Sequence, residues 1–284
     1  MPIATGTVEV QRSPDDPDAV TLLVNGVPSS HLDLSDPLRL EFEYMQQMAA
    51  VLDHMPPDDG PFRAVHLGAA GCALARWVAA RHPGSRQVAV DLDPVLVALV
   101  RDWFDLPRSP ALRLRVGDAR AQLATLPDAG ADVVVRDVFA GDRTPEHVET
   151  VEFVRDVARA LRPGGVYLAN CADRPPLALA RAEVATAAEV FEHVGVVAEP
   201  GVLRGRRYGN VVVIGTDDPT VLTDAGLARD LRSLPVPARL LEGDDLRAFA
   251  GRARPLRDAA PLLDVDEDSA GGLPDEPDHL GPDS

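Results

Sequence analysis

VHLGAAGCALARW, residues Val65–Trp77, passes from a short apolar run through a turn of glycine and alanine into a helical pattern. The run RAVHL predicts a buried parallel strand. Gly68 and Gly71, with alanines between them, let the backbone come close to a ligand. The N–H groups that open the following helix favour negative or polar groups. A second apolar run, QVAV, ends at Asp91 in VDLDP, 14 residues after Trp77. A carboxylate accepts two hydrogen bonds and a ribose diol offers two, so Asp91 stands where a ribose would sit. These residues describe the nucleoside-binding half of a fold.

Working outward, strands are expected at 63–67, 87–91, 112–116, 132–137, 165–170, 194–199 and 210–215. Helices are expected at 71–81, 94–104, 119–125, 146–161 and 177–191. Such alternation implies a parallel sheet with helices on both faces. The last two strands are joined by the short link around GRRYGN, which suits a hairpin and puts an antiparallel strand at the edge. The expected fold class is therefore α/β: a Rossmann-like, methyltransferase-type seven-stranded sheet whose last strand is antiparallel.

Residues 1–57 read differently. TVEVQR and AVTLLVNG are strand-like, Asn25-Gly26 marks a tight hairpin turn, and Leu38–Leu52 has apolar residues at helical spacing. They form a small N-terminal β-hairpin unit plus one helix, joined at MPPDDGP to a nucleoside-binding domain over 58–216. A helical extension covers 217–257, with helices at Val221–Leu234 and Asp244–Arg252. From Asp258 to 284 the chain carries nine Asp and Glu and no basic residue, among many Gly and Pro. That tail is expected to be disordered, because it has too little apolar surface to offset its ordering entropy.

Net charge is −17, which argues against nucleic acid or an anionic membrane as partner and is compatible with a cationic substrate. All 28 basic residues are arginine, which excludes a P-loop lysine and a Schiff base. Two cysteines, Cys72 and Cys171, suggest reduced thiols rather than a disulfide framework. No apolar run reaches spanning length and no basic-then-apolar leader pattern opens the sequence, so a soluble, cytoplasmic protein is expected.

Three carboxylates fall at successive strand ends, facing the crevice where ligands bind in open α/β sheets. A single Asp there is as often a helix cap; three beside a small-residue loop point to a site. Asp91 suits ribose, Asp118 with the adjoining backbone of Ala119 suits the exocyclic amine of adenine, and Asp137 lies where a transferred group belongs. His66 reads as a core histidine, Cys72 as small-residue packing at a helix start, and Trp77 and Trp103 as packing. His82, His147 and His193 are scattered without metal-ligand spacing, so no metal is expected. Arg204, Arg206 and Arg207 read as a solvated loop.

The order of motifs resembles the spermidine synthase family, the polyamine aminopropyltransferases, over residues 20–216 or so. LLVNGVPSS, LEFEY, the loop ending in ALARW, VDLDP, VGDAR, DVVVRDVFAGDRTPEH, LRPGGVYLAN and GNVVVIG carry the resemblance. It implies transfer of an aminopropyl group from decarboxylated S-adenosylmethionine to a diamine such as putrescine, with no permanently bound cofactor, in a homodimer. It also implies Asp137 as the base, Asp91 and Asp118 as nucleoside-binding acids, Tyr44 as the tyrosine lining the amine pocket, and Asp142 as a substrate-binding acid. The chain departs from the family pattern at three points. Gly71 stands where the donor-binding loop has an Asp, Ala140 where a second acid follows the base, and Ser29 where a glutamine follows the hairpin. Loss of the loop acid opens two alternatives: a methyltransferase using S-adenosylmethionine itself, or a non-catalytic nucleoside-binding member. NAD binding fits less well, because the loop lacks a third glycine in place and only one mononucleotide half is evident.

Overall fold

The apolar runs become strands with little displacement. The computed structural model describes residues 1–56, 60–141 and 143–259. It opens with a four-stranded antiparallel sheet of β1 (Pro2–Ile3), β2 (Gly6–Arg12), β3 (Ala19–Val24) and β4 (Val27–Asp33), the last two joined by the Asn25-Gly26 turn. Asn25 has φ 53° and Gly26 φ 77°, the left-handed pair such a turn requires. This sheet is tied to the rest of the molecule at Thr5, whose N–H and hydroxyl donate to Asp93 at 2.6 and 2.9 Å.

Helix α1 (Glu43–Asp53) is shorter than the expected Leu38–Leu52. Leu38–Phe42 alternates apolar and polar residues and stays outside the helix, with Phe42 extended (φ −70°, ψ 126°). The Gln46 side chain holds that arm by donating to Leu40 O at 2.7 Å. Tyr44 therefore sits in the first turn of α1 rather than in the middle of a helix.

Next come β5 (Arg63–Leu67), α2 (Ala73–Arg81), β6 (Arg86–Asp91), α3 (Pro94–Trp103), β7 (Leu112–Val116), α4 (Ala119–Ala124) and β8 (Ala131–Arg136). They are followed by α5 (Val151–Ala160), β9 (Leu161–Asp173), α6 (Ala178–Ala188), β10 (His193–Ala198), α7 (Pro200–Leu203) and β11 (Gly209–Thr216). Last are α8 (Thr220–Thr223), α9 (Ala225–Ser233), β12 (Arg239–Leu241) and α10 (Gly243–Ala250). The strand order is β12-β10-β11-β9-β8-β5-β6-β7, eight strands rather than the expected seven. Strands β5 to β9 are parallel and β11 is antiparallel to both its neighbours.

Two sequence expectations are corrected here. The antiparallel strand is not at the edge: β11 lies between β9 and β10, paired with β9 from Gly209 to Thr216. Its VVVI core is buried, and its backbone pairs on both sides, with β9 and with β10. The edge is instead capped by β12, three residues in the gap between the two helices expected in the extension, where no strand is expected from the sequence.

Along β8 the side chains alternate between layers. Val133 and Val135 join the core under α1, α2, α3 and α9, while Val134 joins the core under α4, α5, α6 and α10. The C-terminal ends of β5 to β9 thus all open at one edge of a sheet packed on both faces. Among the described residues, no helix is long and apolar enough to cross a membrane. Of the acidic tail, Asp258 and Ala259 are described; the remainder, residues 260–284, lies outside the described residues.

Candidate active site

One cleft of about 910 Å³ gathers the C-terminal ends of β5, β6, β7 and β8, the first turn of α1, and the start of β11. Its floor is the loop after β5. Gly68 has φ 83°, and a Cβ there would lie 2.1 Å from the Asp137 carbonyl oxygen, so only glycine lets β5 and the loop after β8 pass this closely. The loop is pinned by Gly68 N–H and Ala69 N–H donating to Val90 O at 2.9 and 3.1 Å.

Gly71 does not contribute to the cleft as the sequence led one to expect. Its N–H donates to Ser30 Oγ at 2.9 Å. A Cβ at this position would lie 2.8 Å from Ser30 Cβ and 3.0 Å from Leu32 Cδ1. The position where the family pattern has an acid is thus filled from β4.

Asp137 lies at the wall of the cleft, just beyond β8. Tyr44 Oη donates to its Oδ2 at 2.8 Å, and Asn170 Nδ2 to its Oδ1 at 2.8 Å. Asn210 Nδ2 in turn donates to Asn170 Oδ1 at 2.9 Å, which fixes the Asn170 amide. Burial raises the Asp137 pKa above the ordinary carboxylate range, and the Asn170 and Tyr44 hydrogen bonds and the nearby Arg136 charge only partly offset it. Burial, together with that carboxylate, pushes the Tyr44 hydroxyl well above its ordinary value, so it remains a donor. Arg136 points into the other layer, where it is fully buried and paired with Glu183.

Asp91 and Asp118 line another part of the cleft. Asp91 accepts from Ala70 N–H and Asp93 N–H, both at 3.0 Å, and burial raises its pKa. Asp118 is the N-cap of α4, with Oδ1 accepting from Ala121 N–H at 2.9 Å. Its Oδ2 accepts from His147 Nε2 at 2.7 Å. Partial burial acts against ionisation of Asp118, but these hydrogen bonds hold its pKa below the ordinary value. Ala119 lines the cleft beside it. Asp142 lies outside the described residues.

Sequence reading missed three of these partners. Asn170 is a buried amide within the apolar stretch VYLANCA of β9, a signal that could have been read. Asn210 carries the same signal more weakly. His147, read as one of several scattered histidines, meets Asp118 across 29 residues, which no local pattern announces.

Two other readings are refined. His66 is bonded to Gln87 Oε1 at 2.9 Å, and burial lowers its pKa to about 4, so it is neutral and satisfied by a side chain rather than by backbone. Cys72 does sit at a helix start, with φ 60°, but burial and then the Asp91 charge push its thiol up to about 12. It is not a thiolate.

A family model described as "Methyltransferase domain" matches residues 65–169. Curated relatives include the polyamine aminopropyltransferase of Chromobacterium violaceum, 30% identical over 141 residues, covering 50% of this chain and 53% of that one. That of Vibrio vulnificus is 31% identical over 134 residues, covering 46% and 44%. The chain spans about half the length of the curated relatives it matches. Among solved structures, a probable spermidine synthase from Corynebacterium glutamicum is 38% identical with a TM-score of 0.86, and the match covers 93% of this chain and 97% of that one. Likeness over nearly the whole of both chains, on a sheet that gathers Asp91, Asp118 and Asp137 around one cleft, leads to one assignment: this chain belongs to the spermidine synthase family.

Proposed function

We propose that this protein transfers an aminopropyl group from decarboxylated S-adenosylmethionine to one nitrogen of a diamine of the putrescine type, releasing methylthioadenosine. The amine lone pair attacks the methylene carbon bound to the sulfonium. The C–S bond breaks with its electron pair going to sulfur, a neutral thioether leaves, and the proton lost by the amine passes to Asp137. The observation that carries this reading is the buried carboxylate of Asp137, gripped at both oxygens by Tyr44 and Asn170 at the wall of the cleft. Each oxygen keeps a second lone pair for an amine N–H. Burial strengthens its hold on a proton, which is what a base for an ammonium needs.

Asp91 holds the ribose hydroxyls and Asp118, with the backbone at Ala119, holds the adenine edge. With no acid at Gly71, Glu41 and Glu43 at the rim beside Tyr44 are carboxylates placed to meet the ammonium groups; the family resemblance adds Asp142, which lies outside the described residues. In solution the working unit is the homodimer that the family resemblance implies, in the cytoplasm. The substitution Asp137→Asn tests the assignment of the base. Release of methylthioadenosine is expected to fall by about 10²–10⁴-fold, the usual worth of a positioned base. Release within a factor of two of wild type contradicts it.

A second reading is favoured by one observation. Gly71, packed against Ser30, presents no negative charge to a donor that carries a carboxylate. S-adenosylmethionine would then be admitted, and methyl transfer would yield S-adenosylhomocysteine.

A further inference from the structure

Beyond α10 the chain turns at Gly251 and Arg252 and returns across the molecule as a strap without regular secondary structure, residues 253–258. Val151 N–H donates to Leu256 O at 2.9 Å, and Leu256 N–H donates to Thr186 Oγ1 at 2.8 Å. The strap ends on Asp258, which the sequence assigned to the disordered tail. Asp258 is instead held by four hydrogen bonds to three residues. Arg120 Nη1 and Nη2 donate to its two oxygens at 2.8 and 2.7 Å, and Thr150 Oγ1 donates to Oδ1 at 2.7 Å. Its own N–H donates to Glu152 Oε2 at 3.0 Å.

We propose that this strap is a positioning element of the nucleoside pocket, with Asp258 acting through Arg120 and His147 on Asp118. The proposal rests on Asp118 being the acid that meets the adenine amine.

The chain of contacts is continuous. Arg120 lies two residues beyond Asp118 in the first turn of α4, and its Nη1 also donates to His147 O at 3.2 Å. The guanidinium therefore bridges the strap to the turn at Glu146–Val148. Held by its carbonyl, His147 turns its ring so that Nε2 donates to Asp118 Oδ2 at 2.7 Å. With Oδ1 held by Ala121 N–H and Oδ2 by His147, the Asp118 carboxylate is fixed in direction.

Stability is a poor reason for this arrangement. Arg120 and Asp258 are 26% and 38% exposed, so solvent screens part of their attraction. A bidentate guanidinium–carboxylate pair chiefly fixes geometry. The hydrogen bonds from Arg120 and Thr150 hold the Asp258 pKa down to about 2, so the clamp is ionised throughout the working range. Without Asp258, the Arg120 fork loses two hydrogen bonds and keeps only its bond to His147 O and a looser ion pair with Asp156 at 3.9 Å.

The test is calorimetric titration of the full chain with 5′-methylthioadenosine and with 5′-methylthioinosine, which has an oxygen in place of the adenine amine. Wild type is expected to prefer the adenosine. In Asp258→Ala the adenosine should bind about tenfold more weakly, the worth of one charge-assisted hydrogen bond, while the inosine changes little. The preference between the two therefore collapses, and Asp258→Glu restores part of it. Equal weakening of both ligands would mean that the strap is merely structural and would overturn the proposal, as would unchanged binding of both. Lack of preference in wild type itself would instead remove the reading of Asp118, and with it the proposal, before any substitution is made. Should Asp258→Ala fail to fold, Arg120→Gln breaks the same bridge from its other end and carries the same expectations.

Discussion

Asp137 can take a proton from an ammonium only when it is ionised, yet burial makes it hold its own proton more tightly than an ordinary aspartate does. Its two donors, Tyr44 and Asn170, act the other way by stabilising the anion. The sign of the pH dependence follows. kcat/KM should rise with pH through an acid limb lying above the ordinary carboxylate range. Removing either donor raises the Asp137 pKa further, so Tyr44→Phe and Asn170→Ala should each move the limb upward. The expected displacement is about one pH unit, equivalent to a hydrogen bond worth roughly 1.4 kcal/mol. A pH–rate profile measures it, and a limb that stays put or moves down contradicts the assignment of the base. Of this cluster, Asp137 and Tyr44 could be read from the sequence, one from its strand-end position and one from the motif LEFEY. Asn170 could have been, since a lone amide in an apolar stretch needs a partner. The pairing of Asn210 with Asn170 could not, because it depends on β11 inserting beside β9, which strand spacing does not reveal.

Among the elements, the loop after β5 shows how local sequence fixes a backbone while leaving its surroundings open. That the loop needs glycine at 68 was legible, and the reason is the approach to the Asp137 carbonyl. The fate of Gly71 was not legible, since Ser30 reaches it from a strand 41 residues away. Asp at 71 would have to displace Ser30 and would disturb the hydrogen bond that its oxygen accepts. Gly71→Asp is therefore expected to lower stability by about 1–3 kcal/mol, in the range of overpacked sites, rather than simply to restore the family pattern. Combining it with Ser30→Gly should recover part of the loss. Thermal unfolding of the two variants decides the matter. A Gly71→Asp protein as stable as wild type would show that the loop has room for the acid after all. The same limit on local reading explains α1. Helical spacing over Leu38–Leu52 was real, but the alternation at its start and the hold of Gln46 on Leu40 delay the helix and bring Tyr44 to its first turn.

At the scale of the whole molecule, the order of strands and helices was legible because both faces of the central sheet are covered, so buried strands read as continuous apolar runs. What sequence could not supply was long-range pairing: β12 on the far edge, β11 turned inward, His54 at the end of α1 bonded to Asp224 at the start of α9 and to Asp230 within it at 2.7 and 2.9 Å, and the return of the strap to α4. Those contacts join the N-terminal helix and the C-terminal extension to the domain that carries the cleft. They also assemble one site from segments spread over most of the chain. The most direct measurement of what that site does is an incubation of the purified full chain with decarboxylated S-adenosylmethionine and putrescine, beside a parallel incubation with S-adenosylmethionine. Mass spectrometry follows both possible products. Aminopropyl transfer predicts methylthioadenosine, formed only when the amine and the decarboxylated donor are both present. S-adenosylhomocysteine as the sole product, or neither product from folded protein, would contradict it.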